Sequence, residues 1–299
     1  MERRVSVVIN STAGIGSSPP PVEALRAKFL AVGLRAEISQ VQPGGDLLSF
    51  VRGAVEIGAS TVVACGGDGT VSAVASCLAG TNIVLGVLPT GTLNHFAKDL
   101  GIPVGEDAAI ANIAAGHVLN VDVGEVNNRI FINNSSLGLY PDIVRERERR
   151  QRRLGYGKWR ALFEASITAA RRYPLLSVWI DLEGKTYERR TPFVFVGNNR
   201  YIMEGFEIGE RRSLNEGKLA LYVTQRTGRF GLLRLALLAL FKRLDQARDF
   251  EVVCTQDFLV HTHHRFLQVA TDGEVTKMET PLRYRVRPSA LRVIVPARR

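Results

Sequence analysis

The chain has 299 residues, 45% hydrophobic and 23% charged, a balance that excludes a disordered or low-complexity protein and leaves room for two domains. Its net charge of +10 is uneven: residues 1–120 hold 7 Lys/Arg against 9 Asp/Glu, whereas residues 121–299 hold 32 against 20, which suits the later part to an anionic partner. Three scattered cysteines (Cys65, Cys77, Cys254) without CxxC spacing exclude a disulfide framework and point to reduced thiols.

From the N-terminus, Val5–Ile9 is too short an apolar stretch for a secretion signal. No run approaches the roughly 18–20 apolar residues of a membrane-spanning helix, so a soluble, cytoplasmic protein is expected. The first third then alternates. Strands are predicted at Val5–Ile9, Arg35–Val41, Thr61–Cys65 and Ile83–Leu88, and helices at Val22–Val32, Leu47–Ile57, Val71–Leu78, Thr92–Leu100 and Asp107–Ala115. Such alternation predicts an α/β domain with a parallel sheet, whose ligands bind beyond the carboxyl ends of the strands.

After about Val121 the pattern changes. One long helical region is predicted at Pro141–Tyr173, followed by short strands at Leu176–Leu182, Phe193–Val196, Leu219–Thr224, Glu251–Thr255 and Phe258–His263, and a last one at Ala290–Pro296. This part reads as a mainly antiparallel β domain. The predicted division is residues 1–122 and 123–287.

Three glycine-bearing turns follow predicted strands. The clearest is Gly66-Gly67-Asp68-Gly69, where missing side chains let backbone N–H groups and a helix N-terminus approach a phosphate. Asp68 repels phosphate itself, so its expected role is to hold Mg²⁺ among phosphates. The same residues also fit a tight turn with Asp68 as a helix cap. INSTAGIG (9–16) and LPTGTLN (88–94) supply two more such turns, the latter with Thr90, Thr92 and Asn94 as hydrogen-bonding groups. No GxxxxGK[ST], HRD or DFG occurs, which excludes a Walker-type site and an ordinary protein kinase.

GGDGT (66–70), PTGTLN continuing as HFAKDLGIP (89–103), and TDGE (271–274) together resemble the diacylglycerol kinase/sphingosine kinase catalytic-domain family, its soluble bacterial lipid kinases in particular. The resemblance runs from the INSTAG turn to the final LRVIVP strand. It implies an NAD-kinase/phosphofructokinase-like first domain, to which the terminal strand (288–299) returns, and a second domain that binds the acceptor lipid. By it, ATP lies against Asn10, Ser11, Thr12, Ala13, Gly14, Val41, Gly66, Gly67, Asp68, Gly69, Thr70 and Thr92, with Asn94 beside them. Asp272 matches the family's general base, with Glu274 next to it. An alcohol is a poor nucleophile until a carboxylate takes its proton. Without the resemblance, Asp272-Gly273 reads as a hairpin turn. Ser213-Leu-Asn-Glu-Gly-Lys218 matches a loop that holds a structural Mg²⁺ through one carboxylate and two carbonyls. Here Glu216 stands where Asp is usual, with Ser213 and Lys218 as the carbonyl donors. One departure stands out: the family commonly has Asn-Asp-Phe where this chain reads Asn94-His95-Phe96, so an imidazole replaces a carboxylate unless Asp99 substitutes for it.

Three further stretches draw notice. Residues 145–160 hold eight Lys/Arg and two Glu, more cation than (i, i+4) pairing uses, and are read as facing an anionic membrane. No nucleic-acid-binding pattern accompanies the charge. Residues 228–245 have helical spacing and are predicted to be a helix apolar nearly all round, which suits lipid contact or burial. His261, His263 and His264 lack nearby acidic or thiol ligands and read as polar strand residues rather than a metal site.

The expectation is an ATP- and Mg²⁺-dependent lipid kinase acting on a diacylglycerol-like or long-chain lipid, attached peripherally to the membrane. An NAD-kinase-like enzyme and a catalytically silent lipid- or nucleotide-binding protein are the alternatives. Self-association as a homodimer stays open.

Overall fold

The computed structural model describes residues 3–10, 21–42, 45–138, 175–202, 210–224 and 250–297. The predicted helices at 141–173 and 228–245, and the basic run at 145–160, lie outside them. The chain divides into unit 1 (Met1–Val123, Leu214–Glu216, Arg287–Arg299) and unit 2 (Gly124–Ser213, Gly217–Val286).

Unit 1 is α/β. Its β-branched runs form β1 (Arg3–Asn10), β2 (Leu34–Val41), β3 (Thr61–Gly66) and β4 (Val84–Pro89), all parallel in the order β2-β1-β3-β4. The end of the last strand, β16 (Leu282–Ile294), lies parallel beside β4, with Arg292 opposite Val84. Between the strands come α1 (Val22–Ala31), α2 (Leu47–Glu56), α3 (Asp68–Leu78), α4 (His95–Asp99) and α5 (Glu106–Ala115). Helix α2 starts where it does because the Asp46 carboxylate accepts from the N–H groups of Leu48 (2.9 Å) and Ser49 (3.2 Å), two amides that lack an intrahelical partner. Val7, Ile9, Phe29, Val63, Leu88 and Ile113 form one core with Ile294.

Unit 2 is antiparallel β. One sheet has the order β12 (Phe250–Thr255), β11 (Leu219–Thr224), β10 (Phe193–Asn198), β7 (Asn134–Gly138), β14 (Phe266–Thr271), β15 (Glu274–Glu279). In the other, β9 (Lys185–Thr191), β8 (Leu176–Leu182), β13 (Asp257–Thr262) and the first half of β16 lie side by side. The end of β5 (Val118–Val126) pairs with β6 (Arg129–Phe131). Inward positions of both sheets meet in a single core that includes Leu137, Ile180, Val194, Leu221, Val260 and Tyr284, which makes the unit a β-sandwich. Tyr284 is fully buried, stacks on Phe258 with ring centroids 4.8 Å apart, and shares a hydrogen bond with Ser135 Oγ at 3.0 Å.

The fold class follows the sequence reading, but several boundaries move. Helix α3 begins at Asp68 rather than Val71, because Gly67 already occupies the cap position in extended backbone and its carbonyl accepts from Val71 N–H (3.0 Å). Helix α4 begins at His95 rather than Thr92, because Asn94 (φ +50°) turns the chain first. A strand missed by the hydrophobic pattern, β9, pairs with β8 across a Glu183-Gly184 turn, both residues at positive φ. The last strand spans thirteen residues instead of starting at Ala290. Leu282, Tyr284 and Val286 point inward on even numbers, Leu291 and Val293 on odd ones, and the phase changes at Pro288-Ser289, where Ser289 has φ +52°. Its N–H donates to Asp122 Oδ1 at 2.9 Å.

Candidate functional site

In unit 1 the carboxyl ends of β1, β3 and β4 lie side by side, and the turns after β3 and β4 meet there. Asn10, the last residue of β1, donates from Nδ2 to Thr70 Oγ1 at 3.1 Å, so the end of β1 is tied to the Gly66–Thr70 turn side chain to side chain. Thr90 N–H donates to Gly66 O (3.0 Å), which ties that turn to the one after β4. The glycines are required by close approach. A Cβ on Gly91 would fall 2.6 Å from Gly67 Cα, and one on Gly66 would overlap the Thr70 side chain. Helix α3 carries no side-chain cap, since Gly67 has none to give to its first amides. Asp68 sits half-buried in the first turn of that helix, and Gly69 is exposed with open space where a Cβ would be.

Other predicted residues take different places. Val41 ends β2 with its side chain in the core, 3% exposed. Thr92 is exposed, whereas Asn94 is buried and bonded to Gly91 in both directions: Nδ2 donates to Gly91 O (2.7 Å) and Oδ1 accepts from Gly91 N–H (3.1 Å). His95 is exposed and Asp99 half-buried on the same short helix. Ser11, Thr12, Ala13 and Gly14 lie outside the described residues. Burial pushes the Cys65 thiol up to about 12, with the charge of Glu106 adding to it, so this residue at the end of β3 packs rather than reacts.

In unit 2 the Thr271–Glu274 hairpin turn holds Asp272 at φ +48°. Its carboxylate accepts three backbone N–H groups: Asn133 (2.8 Å) and Asn134 (3.0 Å) on Oδ1, and Ile132 (2.8 Å) on Oδ2. Its own N–H donates to Asn134 O at 2.9 Å. Hydrogen bonds of this kind fix the carboxylate's direction and stabilise its charged form. Glu274 is exposed and paired with Arg129 Nη2 (2.6 Å), whose Nε donates to Thr271 Oγ1 (2.8 Å), so Arg129 staples both ends of the turn. Arg129 was not among the sequence candidates. It lies about 140 residues from its partners, and no spacing signals such a pair.

The predicted metal loop is placed less decisively. Ser213 is half-buried, Glu216 and Lys218 are exposed, and the Lys218 carbonyl accepts the N–H of Asn199 at 3.0 Å. Among the described residues, no group of three or more His, Cys, Asp or Glu side chains converges to hold a metal. Asp68 alone fits Mg²⁺ in another way, since that ion commonly takes one or two carboxylates and completes its shell with water and phosphate. His261 lies in β13 and its Nε2 is paired with Asp181 Oδ2 at 2.8 Å, whereas His263, which meets the edge of Trp179, and His264 lie in the loop beyond Thr262 rather than in a strand as expected.

Comparison with known proteins bears on the family and the fold. The model of the diacylglycerol kinase catalytic domain matches residues 4–126, and that of the YegS C-terminal NAD kinase beta sandwich-like domain matches residues 143–295. The "Probable lipid kinase YegS" of Escherichia fergusonii is 38% identical over 119 residues, covering 38% of this chain and 40% of that protein. The "Probable lipid kinase YegS-like" of Citrobacter koseri is 33% identical over 138 residues, covering 44% and 46%. The chain thus spans less than half the length of these curated relatives. A solved diacylglycerol kinase structure from Bacillus anthracis str. Sterne aligns with a TM-score of 0.68 at 20% identity, over 99% of this chain and 97% of that one. A second structure from the same organism aligns at 0.74 and 23% over the same shares. At these identities the likeness is one of fold. No helix among the described residues is long and apolar enough to cross a membrane.

Proposed function

Because the chain belongs to the diacylglycerol kinase catalytic-domain family, in its form with a YegS-type C-terminal domain, we propose that it is an ATP- and Mg²⁺-dependent lipid kinase. Its acceptor is the hydroxyl of a diacylglycerol-like or long-chain lipid. The observation that carries this reading is the Gly66–Thr70 turn. It is stripped of side chains at a sheet's carboxyl edge, joins an uncapped helix N-terminus, and bears one carboxylate in the helix's first turn. Bound Mg²⁺ would neutralise phosphate charge there and align the transferred group. The chain's own part is to hold phosphates on the α3 amides, to place Asp68 for the metal, and to present Asp272 to the acceptor. Asp272 takes the hydroxyl's proton as the new O–P bond forms and the bond to the leaving diphosphate opens.

A carboxylate that accepts three N–H groups is a weak base but a well-aimed one. Phosphoryl transfer through a loose transition state asks for aim more than basicity, since the nucleophile's proton leaves late. His95 in place of the usual acid is the one observation favouring a silent nucleotide- or lipid-binding protein. Turnover of labelled ATP against a panel of lipid alcohols decides between them. Wild-type protein should phosphorylate at least one lipid, and Asp68→Asn should lose at least 100-fold in kcat with an unchanged melting temperature. Wild-type kcat in that variant would remove Asp68 from the metal site.

A further inference from the structure

The three amides that hold Asp272 belong to a segment gripped from its other side. Arg211 is 4% exposed, and its guanidinium spreads over carbonyl oxygens: Nη1 donates to Ile132 O (2.8 Å) and Asn198 O (2.9 Å), and Nη2 to Asn133 Oδ1 (2.8 Å). Asn133 O accepts from Tyr201 OH (3.1 Å) and from Asn198 N–H (2.9 Å). Arg211 itself is fixed by an antiparallel bridge to Tyr201, over whose ring its guanidinium lies 5.4 Å from the centroid. Gly197 lets that ring in, since a Cβ there would fall 2.8 Å from it.

Two successive peptide groups therefore bridge to the Asp272 carboxylate, one from a cation and one from a phenol. In the Ile132–Asn133 peptide the carbonyl faces Arg211 while the N–H faces Asp272. In the Asn133–Asn134 peptide the carbonyl faces Tyr201 and the N–H again faces Asp272. A donor on the carbonyl polarises the peptide and strengthens its N–H, and hydrogen bonds in series reinforce one another. A planar, permanently charged fork also sets the tilt of the peptides it holds.

We propose that Arg211 is a positioning residue for the lipid-kinase reaction: acting through the Ile132–Asn134 peptides, it fixes the direction of the Asp272 carboxylate. This rests on the reading of Asp272 as the acceptor-side carboxylate. Lysine in its place keeps the charge but loses the fork, so it cannot hold both carbonyls and the Asn133 side chain in one plane. Small misalignments of a reacting group cost up to about 100-fold in rate.

The test uses the full chain with Arg211→Lys, Arg211→Met and Arg211→Ala, each assayed per folded molecule with one accepted lipid. Arg211→Met should lower kcat roughly 10- to 100-fold while KM for ATP stays within about twofold. Arg211→Lys should fall between it and wild type, and millimolar guanidinium should restore part of the Arg211→Ala loss. Amide exchange at residues 132–134 should quicken in Arg211→Lys, which keeps the buried charge should the other variants fail to fold. Wild-type kcat in Arg211→Met, an equal loss in ATP affinity, or unchanged exchange in Arg211→Lys would each overturn the proposal. The exchange measurement needs no turnover, so it reads Arg211 even if the enzyme reading fails. Asp272→Asn reads the enzyme reading alone: if it retains wild-type kcat while Arg211→Lys loosens the amides, Asp272 is held as proposed but is not the base.

Discussion

At Asp272 the backbone φ of +48° and the three amide bonds act on the same side chain. Asparagine tolerates that φ as well as aspartate does but brings an NH₂ group against at least one N–H donor. Asp272→Asn should therefore abolish turnover and also cost about 1–3 kcal/mol, the penalty of leaving a buried donor without its acceptor. Equal loss of activity with no change in unfolding free energy would show that the cradle is not formed in solution. His95 is exposed and makes no demand on the core, so His95→Asp should fold normally and match or exceed wild-type kcat. Inactivity of that variant beside an active wild type would mean that the imidazole itself takes part.

The elements around the glycine turns show how far a sequence can be read. Strands β1 to β4 and helices α1, α2 and α5 are legible because each is a run of one period between punctuating residues. Boundaries at α3 and α4 were not, since glycine and an αL asparagine decide them through backbone geometry that apolar spacing does not record. The first half of β16 was hidden by Arg283, Arg285 and Arg287, although their alternation with Leu282, Tyr284 and Val286 is the pattern of a half-buried strand. Pro288 drew the boundary too late. Among the candidate residues, Asp68 and Asp272 stand in short motifs that draw the eye, whereas Arg129 and Arg211 meet their partners across chain distances that leave no local trace. Asn94 gives this account a test. Asn94→Ala loses two bonds to Gly91 and strains an αL residue, which together should cost about 2–3 kcal/mol. Asn94→Gly should cost less because it relieves the strain. If alanine proves the milder change in urea unfolding, the turn is not held as described.

For the molecule as a whole, charge and buried hydroxyls set two responses to solvent. The excess of cations in residues 121–299 predicts binding to anionic vesicles that weakens as salt rises, because exposed charges are screened within about 8–10 Å. Cosedimentation equal for neutral and anionic vesicles at low salt would remove that expectation. At high pH, burial pushes Tyr222 and Cys65 up to about 12 and raises Tyr284 as well. The folded chain keeps these groups neutral, while the unfolded chain releases their protons near the ordinary values of 9.0 for Cys and 10.0 for Tyr. Stability should be level up to about pH 8. It should then fall as pH rises through 9–10 and beyond, by about 1.4 kcal/mol per pH unit for each ionising group. Melting temperatures between pH 7 and 11 test this, and Tyr284→Phe should flatten the fall; a flat profile in the wild type would refute it. The passage of β16 from unit 2 into unit 1 sets a timetable for birth. The ribosome makes Val84 and Leu85 about 200 residues before Arg292 and Val293, a wait of roughly 10–40 s at ordinary rates of synthesis. Throughout it the β4 edge is open to any other strand that passes. Unit 1 is the first to emerge and the last to be closed, so slow translation should favour misassembly, and a permuted gene that places residues 287–297 ahead of Arg3 should relieve it.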